Sequence, residues 1–181
     1  VAVKEFLKEY LPGPIVTKVN DTYEWYQPEF SIGRMHGYHG NFLVALRALA
    51  YMKLLGKQGL DNLGSYAVLN ARYLASILSK TLPLAYAKPC MHEFVATVKE
   101  LKKSHKIKAY DVGKALLDKG FHSPTIYFPL IVPEALMFEP TETQSKETLD
   151  DLAESLKLII ADLQQEDIVL EDYPKNLPVG R

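Results

Sequence analysis

The residue pattern predicts an α/β module in which a small sheet is covered by helices on one face. Three observations carry this. Apolar residues recur at three- and four-residue steps from Leu149 to Leu163, the period of an amphipathic helix. Short runs rich in β-branched and aromatic residues, at 125–132 and Ala135–Phe138, read as strands. Helical and extended segments alternate across hairpin-length gaps, as they do in a sheet with helices packed on it.

Taken in order, Val1 to Val3 reads as the end of a strand and Glu5–Tyr10 as a short helix, stopped by Leu11-Pro12-Gly13-Pro14. Ile15–Val19 and Thr22–Tyr26 are extended segments either side of Asn20-Asp21. The stretch SIGRMHGYHGN, 31–41, holds three glycines and two histidines and reads as an ordered loop ending in a helix cap, Asn41. A helix over 42–55 is apolar almost all round, the mark of an element buried on most sides, and Gly56 ends it. A second helix covers 61–79. Strands are expected at 84–87 and 91–101, a solvated basic turn at 99–108, and a helix at 110–119 stopped by Gly120. The last helix is capped by Ser145, with Glu147, Asp150 and Asp151 near its positive end. The tail from Glu166 reads as loosely held. The expected order after the two long helices is β-β-α-β-β-α.

With 181 residues, 48% of them apolar and 24% charged, the chain has the composition of one ordinary soluble domain, or one domain with an appendage. A net charge of -1 offers no nucleic-acid footprint. The longest apolar run, 42–51, contains Arg47 and is too short to span a bilayer. The single Cys90 has no internal disulfide partner, which fits a reducing compartment. The opening VAVKEFLKEYLPG lacks a signal-peptide pattern and starts without Met, so the chain reads as part of a longer one.

Generic chemistry is sparse. Neither GxxxxGK[ST] nor GxGxxG occurs, and His92-Glu93 lacks the second histidine of an HExxH zinc site. Lys106, after His105, sits among Lys99, Lys102, Lys103 and Lys108 and reads as part of a basic turn. Arg34, His36, His39, Gly40 and Asn41 form the densest polar loop, where glycine admits a ligand to the backbone and His and Arg serve anions or protons. A buried connector explains the loop equally well. His92 and His122, at strand edges, read first as packed histidines. Thr141, Thr143 and Ser145 read first as turn and cap residues.

Several segments together resemble the glycine-cleavage P-protein family: AVLNARYL (67–74), PCMHEFV (89–95), DKGFHSPTIYFPLIVPEALMFEPTET (118–143), SKETLD (145–150), and the loop at Ile32-Gly33 and His39-Gly40-Asn41. PCMHEFV with YFPLIVPEALM is similar to subunit 2 of the two-subunit bacterial form, glycine dehydrogenase (decarboxylating), in its C-terminal part. The resemblance implies the C-terminal small domain of an aspartate-aminotransferase-like (fold type I) pyridoxal phosphate enzyme, with a small, mainly antiparallel sheet covered by helices. Residues 1–38 would then end the large domain and its connecting loop, 39–80 would be linking helices, and 81–181 the small domain.

In that family the Schiff-base lysine sits in a His-Lys-Thr segment, and VAVKEFLKEYLP resembles what comes after it. The lysine is therefore expected upstream of Val1, and no catalytic residue is expected here. Lys106 is followed by Ile107 rather than threonine. The implied reaction is decarboxylation of glycine with pyridoxal phosphate as electron sink, then transfer of the aminomethyl group to the lipoyl arm of H-protein. Implied partners are the other P-protein subunit, H-protein with its lipoyl-lysine, and glycine, in the cytoplasm, with no nucleic acid, membrane or metal. His39, Asn41, His92, His122, Thr141 and Glu142 are the implied cofactor-binding or cleft-lining residues. The chain alone is expected to be inactive, to form no lysine-linked chromophore, and to be prone to self-association through an exposed face. The rival expectations are a non-catalytic binding or assembly module of the same fold, and part of another pyridoxal phosphate lyase or aminotransferase.

Overall fold

The computed structural model describes residues 3–35, 37, 40–165 and 169–175, and the chain divides into two compact units, Val1–Gly56 and Lys57–Arg181. The first unit holds a 3-10 helix (Glu5–Tyr10), an antiparallel hairpin and the opening turns of a long helix. The hairpin strands are β1 (Ile15–Val19) and β2 (Thr22–Tyr26), paired from Ile15 opposite Tyr26 to Val19 opposite Thr22. The two-residue connection Asn20-Asp21 places Asn20 at φ 55, the left-handed conformation that tight hairpins demand and asparagine tolerates. Tyr26 Oη donates to Glu9 Oε2 at 2.5 Å, tying the hairpin to the 3-10 helix.

The long helix, α1 (Phe42–Leu78), breaks at Gly56, where φ 63 and ψ -175 are open to glycine and costly for other residues. Helix resumes at once, so the gap expected between two separate helices is itself helical. Among the described residues of the first unit, the apolar face of α1 stays exposed: Phe42, Leu43, Val44, Leu46, Leu49, Met52 and Leu54 all face solvent. Burial of this stretch was expected from its composition. Neither the hairpin nor the 3-10 helix of this unit covers it.

The second unit has a conventional core. Its sheet runs in the order β3-β5-β4, all antiparallel, with β3 at Phe94–Thr97, β4 at Thr125–Ile126 and β5 at Ala135–Phe138. The central β5 is buried along its whole length. Period-two alternation sorts the side chains. Phe94, Ala96, Leu136 and Phe138 face the helices, and the Phe94 and Phe138 rings, directly opposite in register, stack with centroids 5.2 Å apart. Val95, Ala135 and Met137 face the other way into a small cluster with Ala85 and Val132. On the helical side lie Ala71, Leu74 and Leu78 of α1, Val112 and Leu116 of α3 (Ala109–Asp118), and Leu149, Leu156 and Ile159 of α4 (Lys146–Leu163). The expected small sheet with helices on one face is the structure found.

Several boundaries differ. The basic stretch expected as a turn is a helix, α2 (Lys99–His105), ending in Lys106 at φ 62. Leu101 packs against the core and Lys102 pairs with Glu134, so tertiary contacts override the charge run. The order after α1 is therefore β-α-α-β-β-α. Only an isolated bridge, Leu84 to Ala96, forms in 84–87. The strand expected over 125–132 stops at Ile126, because Tyr127 turns away at φ 59. The apolar residues after it are exposed, Leu130 at 87% and Ile131 at 82%. Residues 169–175 are held rather than loose: Lys114 Nζ donates to the Leu170 carbonyl at 2.9 Å, the Lys175 amide donates to Asp118 Oδ2 at 2.5 Å, and Pro174 is buried.

One acid braces this unit from inside. Glu134, at φ 52, is buried and accepts from Lys102 Nζ and, at 2.9 Å, from the Ala109 amide at the start of α3. Burial pushes its carboxyl up. The bonds from Lys102 and Ala109 and the positive charges of Lys102 and Lys108 together outweigh burial and leave the carboxyl below the usual range.

Candidate functional site: a ridge between two clefts

The chain leaves the centre of the sheet at Phe138 and enters α4 at Ser145, whose hydroxyl accepts from the Thr148 amide at 3.2 Å. The six residues between them form a ridge. Its crest is a turn in which the Gln144 amide donates to the Thr141 carbonyl at 3.2 Å, and the Thr141 and Thr143 hydroxyls lie 2.7 Å apart. A cleft opens on each side, and Glu139, Pro140 and Thr141 line both.

The first cleft, about 330 Å³, has His122, Ser123 and Thr125 on its far side, Gln144 at the end of the ridge and Thr148 at the start of α4. His122 precedes β4, on a segment that lies close over α3. A Cβ added at Gly113 would meet Ser123 Oγ at 2.6 Å, so the glycine permits that approach. The second cleft, about 800 Å³ and wide open, lies between the ridge, with Glu142, and the 61–68 stretch of α1, with Met91 and His92. His92 is exposed and sits 3.7 Å from Glu93 Oε2. The segment before it is anchored by Arg72 Nε, which donates to the Cys90 carbonyl at 2.8 Å.

Four of the six site residues expected from sequence thus meet on one feature: His122 with Thr141 on one side, His92 with Thr141 and Glu142 on the other. Asn41 belongs to the first unit, where its side chain accepts from the Val44 amide at 3.3 Å and caps α1. His39 lies outside the described residues, as does His36.

Two features went unseen in the sequence. Asn70 donates from Nδ2 to the carbonyls of Thr141 at 2.8 Å and Gln144 at 3.1 Å, from a helix more than seventy residues earlier. The quoted AVLNARYL segment was the one signal for it. Beside the ridge, Asp150 accepts from Tyr73 Oη and Lys146 Nζ, each at 2.5 Å. The Lys146 bond, and then the Tyr73 bond, hold the Asp150 carboxyl below its ordinary value, and the same contact raises the Lys146 ammonium.

The chain matches the family model described as glycine dehydrogenase, C-terminal domain, over residues 64–176. The chain belongs to that family. The glycine dehydrogenase relatives extend the match over the whole chain. It is 47% identical to the probable glycine dehydrogenase (decarboxylating) subunit 2 of Treponema denticola, 48% to that of Chlorobium chlorochromatii and 44% to that of Thermotoga maritima. In each case all of this chain aligns with 38% of the relative's length. In three dimensions it resembles the crystal structure of glycine decarboxylase (P-protein) of the glycine cleavage system in inhibitor-bound form. The TM-score is 0.68 at 22% identity, over 87% of this chain and 38% of that one. The shared fold is the expected small antiparallel sheet with helices.

The glycine dehydrogenase family implies pyridoxal phosphate, whose aldehyde needs a lysine and whose phosphate needs positive charge or clustered donors. Neither cleft is lined by a lysine or an arginine. Lys102 is committed to Glu134, and Lys106 is a helix-ending residue on the surface. The two clefts therefore do not by themselves fit the cofactor. They offer hydroxyls, imidazoles and carboxylates suited to hydrogen bonding a small polar molecule. Among the described residues no cluster of three or more histidine, cysteine or acidic side chains is fit for a metal, and no helix is long and apolar enough to cross a membrane.

Proposed function

We propose that this chain is the C-terminal part of a glycine decarboxylase subunit and supplies one wall of its active site. The observation that carries the reading is the match over the full chain, at 44–48% identity, to relatives named for that activity. In the complete protein, pyridoxal phosphate serves as the electron sink for decarboxylation. The lysine and the positive charge that holds the phosphate come from the remainder of the relatives' length, since neither cleft described above is lined by a lysine or an arginine. This chain's residues orient and shield. His122 and Thr141 hydrogen bond within the first cleft, His92 and Glu142 face the second, and the ridge limits water. None of them acts covalently.

The same proposal takes residues 1–38 as the end of a large domain, 39–80 as linking helices and 81–181 as the small domain. It takes the second P-protein subunit, H-protein with its lipoyl arm, and glycine as partners. A cytoplasmic location belongs to it, supported by Cys90, a lone thiol without an internal disulfide partner.

The test is exchange of the glycine carboxyl group with labelled bicarbonate by the complete protein, assembled with its partner subunit and H-protein. Exchange is expected, and His92→Ala and Thr141→Ala are each expected to lower it by roughly 10- to 100-fold, the scale of a misplaced reactant. Absence of exchange in the unaltered assembly overturns the proposal. Unchanged rates in both variants remove the ridge from the active site.

A further inference from the structure

We infer that Asn70 is a positioning residue that sets the height of the ridge and thereby the placement of Thr141 and Glu142. An amide nitrogen carries two protons, and Asn70 Nδ2 lies within hydrogen-bond distance of two ridge carbonyls, Thr141 O at 2.8 Å and Gln144 O at 3.1 Å. These two carbonyls bracket the crest. The Thr141 carbonyl is also the acceptor that closes the turn with the Gln144 amide. One side chain on a helix thus holds both ends of the turn.

Asparagine is a poor residue for the middle of a helix, because its amide competes with the helical backbone. Asn62, two turns earlier on α1, shows the local habit: its Nδ2 donates to the Gln58 carbonyl one turn back. Asn70 makes no such local bond among those described and reaches instead to residues 71 and 74 positions later. The rest of the ridge has fixed ends, Phe138 in the buried strand and Ser145 in the helix cap. Asn70 supplies the restraint between them. It lines neither cleft, so its influence passes through Thr141 and Glu142.

The inference rests on the active-site reading above only for its kinetic consequence; the restraint itself is a separate matter. The experiment uses the complete assembly with Asn70→Leu, which keeps bulk without donors, and Asn70→Asp, which keeps shape and replaces two donors by acceptors. Asn62→Leu is the control. Hydrogen exchange of the 139–145 peptide on the millisecond-to-minute scale is expected to quicken about 10-fold or more in both Asn70 variants, the effect of losing one to two hydrogen bonds, and to stay put in Asn62→Leu. The KM for glycine is expected to rise about 10-fold, with kcat moving less than threefold. The rise in KM without a matching fall in kcat is what a merely structural residue would not give.

Unchanged exchange at 139–145 overturns the restraint. Quickened exchange with unchanged kinetics overturns the positioning role. If the unaltered assembly shows no glycine exchange at all, the functional reading falls, and the hydrogen-exchange result still decides whether Asn70 holds the ridge.

Discussion

The two units differ in how much of α1 they cover. The second buries Leu74, Leu78, Leu82, Leu116, Leu136 and Leu156 almost completely. The first presents Leu43, Leu46, Leu49 and Leu54 to solvent on the opening part of α1. Hydrophobic pattern specifies that a segment is helical and which face is apolar. It does not supply the surface that covers the face. In the second unit, strands and α4 return to α1 and provide it. In the first, a hairpin and a 3-10 helix are present and leave the face open.

The sharpest way to break this contrast is a pair of matched truncations. Leu156→Ala removes a side chain with no exposure and is expected to cost about 2–5 kcal/mol. Leu54→Ala, at 84% exposure, is expected to change stability by less than about 0.5 kcal/mol in this chain. Urea unfolding of the chain reads both. Repeating Leu54→Ala in the complete protein sharpens the point: a cost of about 2 kcal/mol or more there means that the cover comes from outside this chain.

A smaller effect is expected at Glu134. Glu134→Gln leaves Lys102 without its counter-charge and weakens the bond to the Ala109 amide, a loss of roughly 1–3 kcal/mol. The sign with pH follows from the depressed carboxyl. The folded chain holds fewer protons than the unfolded chain between its lowered value and the ordinary one, about 4.3. The stabilisation is therefore complete above the ordinary value and lost as pH falls through the lowered one. Unfolding midpoints of the parent and of Glu134→Gln should converge toward acid pH. A gap that stays constant down to pH 3 contradicts this assignment. The first unit has no counterpart to this buried acid among its described residues.

The smallest effect is expected at Ser145. Ser145→Ala removes the cap on α4 and should cost about 1 kcal/mol, read as a drop in thermal midpoint. Ser145 is also one end of the ridge, so the same variant should loosen the 139–145 peptide less than the Asn70 variants do.

The parts of the fold that repeat a period were legible in the sequence. The run from Leu149 to Leu163 is buried where three- and four-residue steps place it, and Ser145 caps it. The hairpin turn at Asn20-Asp21 was legible because only certain residues accept its backbone. What failed depended on partners far along the chain. The charged 99–108 stretch concealed a helix stabilised by Glu134, thirty-two residues from Lys102. The apolar 127–132 stretch suggested a strand, yet β4 pairs for only two residues before Tyr127 turns. At the ridge, resemblance named His92, His122, Thr141 and Glu142. No pattern marked Asn70, whose importance lies in two carbonyls that a linear sequence does not place beside it.

A wall with a room on each side cannot be moved in favour of both. Glu139, Pro140 and Thr141 are that wall here. A displacement of these three residues toward His122 is a displacement away from His92, so the shape of each cleft is set in part by the same short stretch of chain.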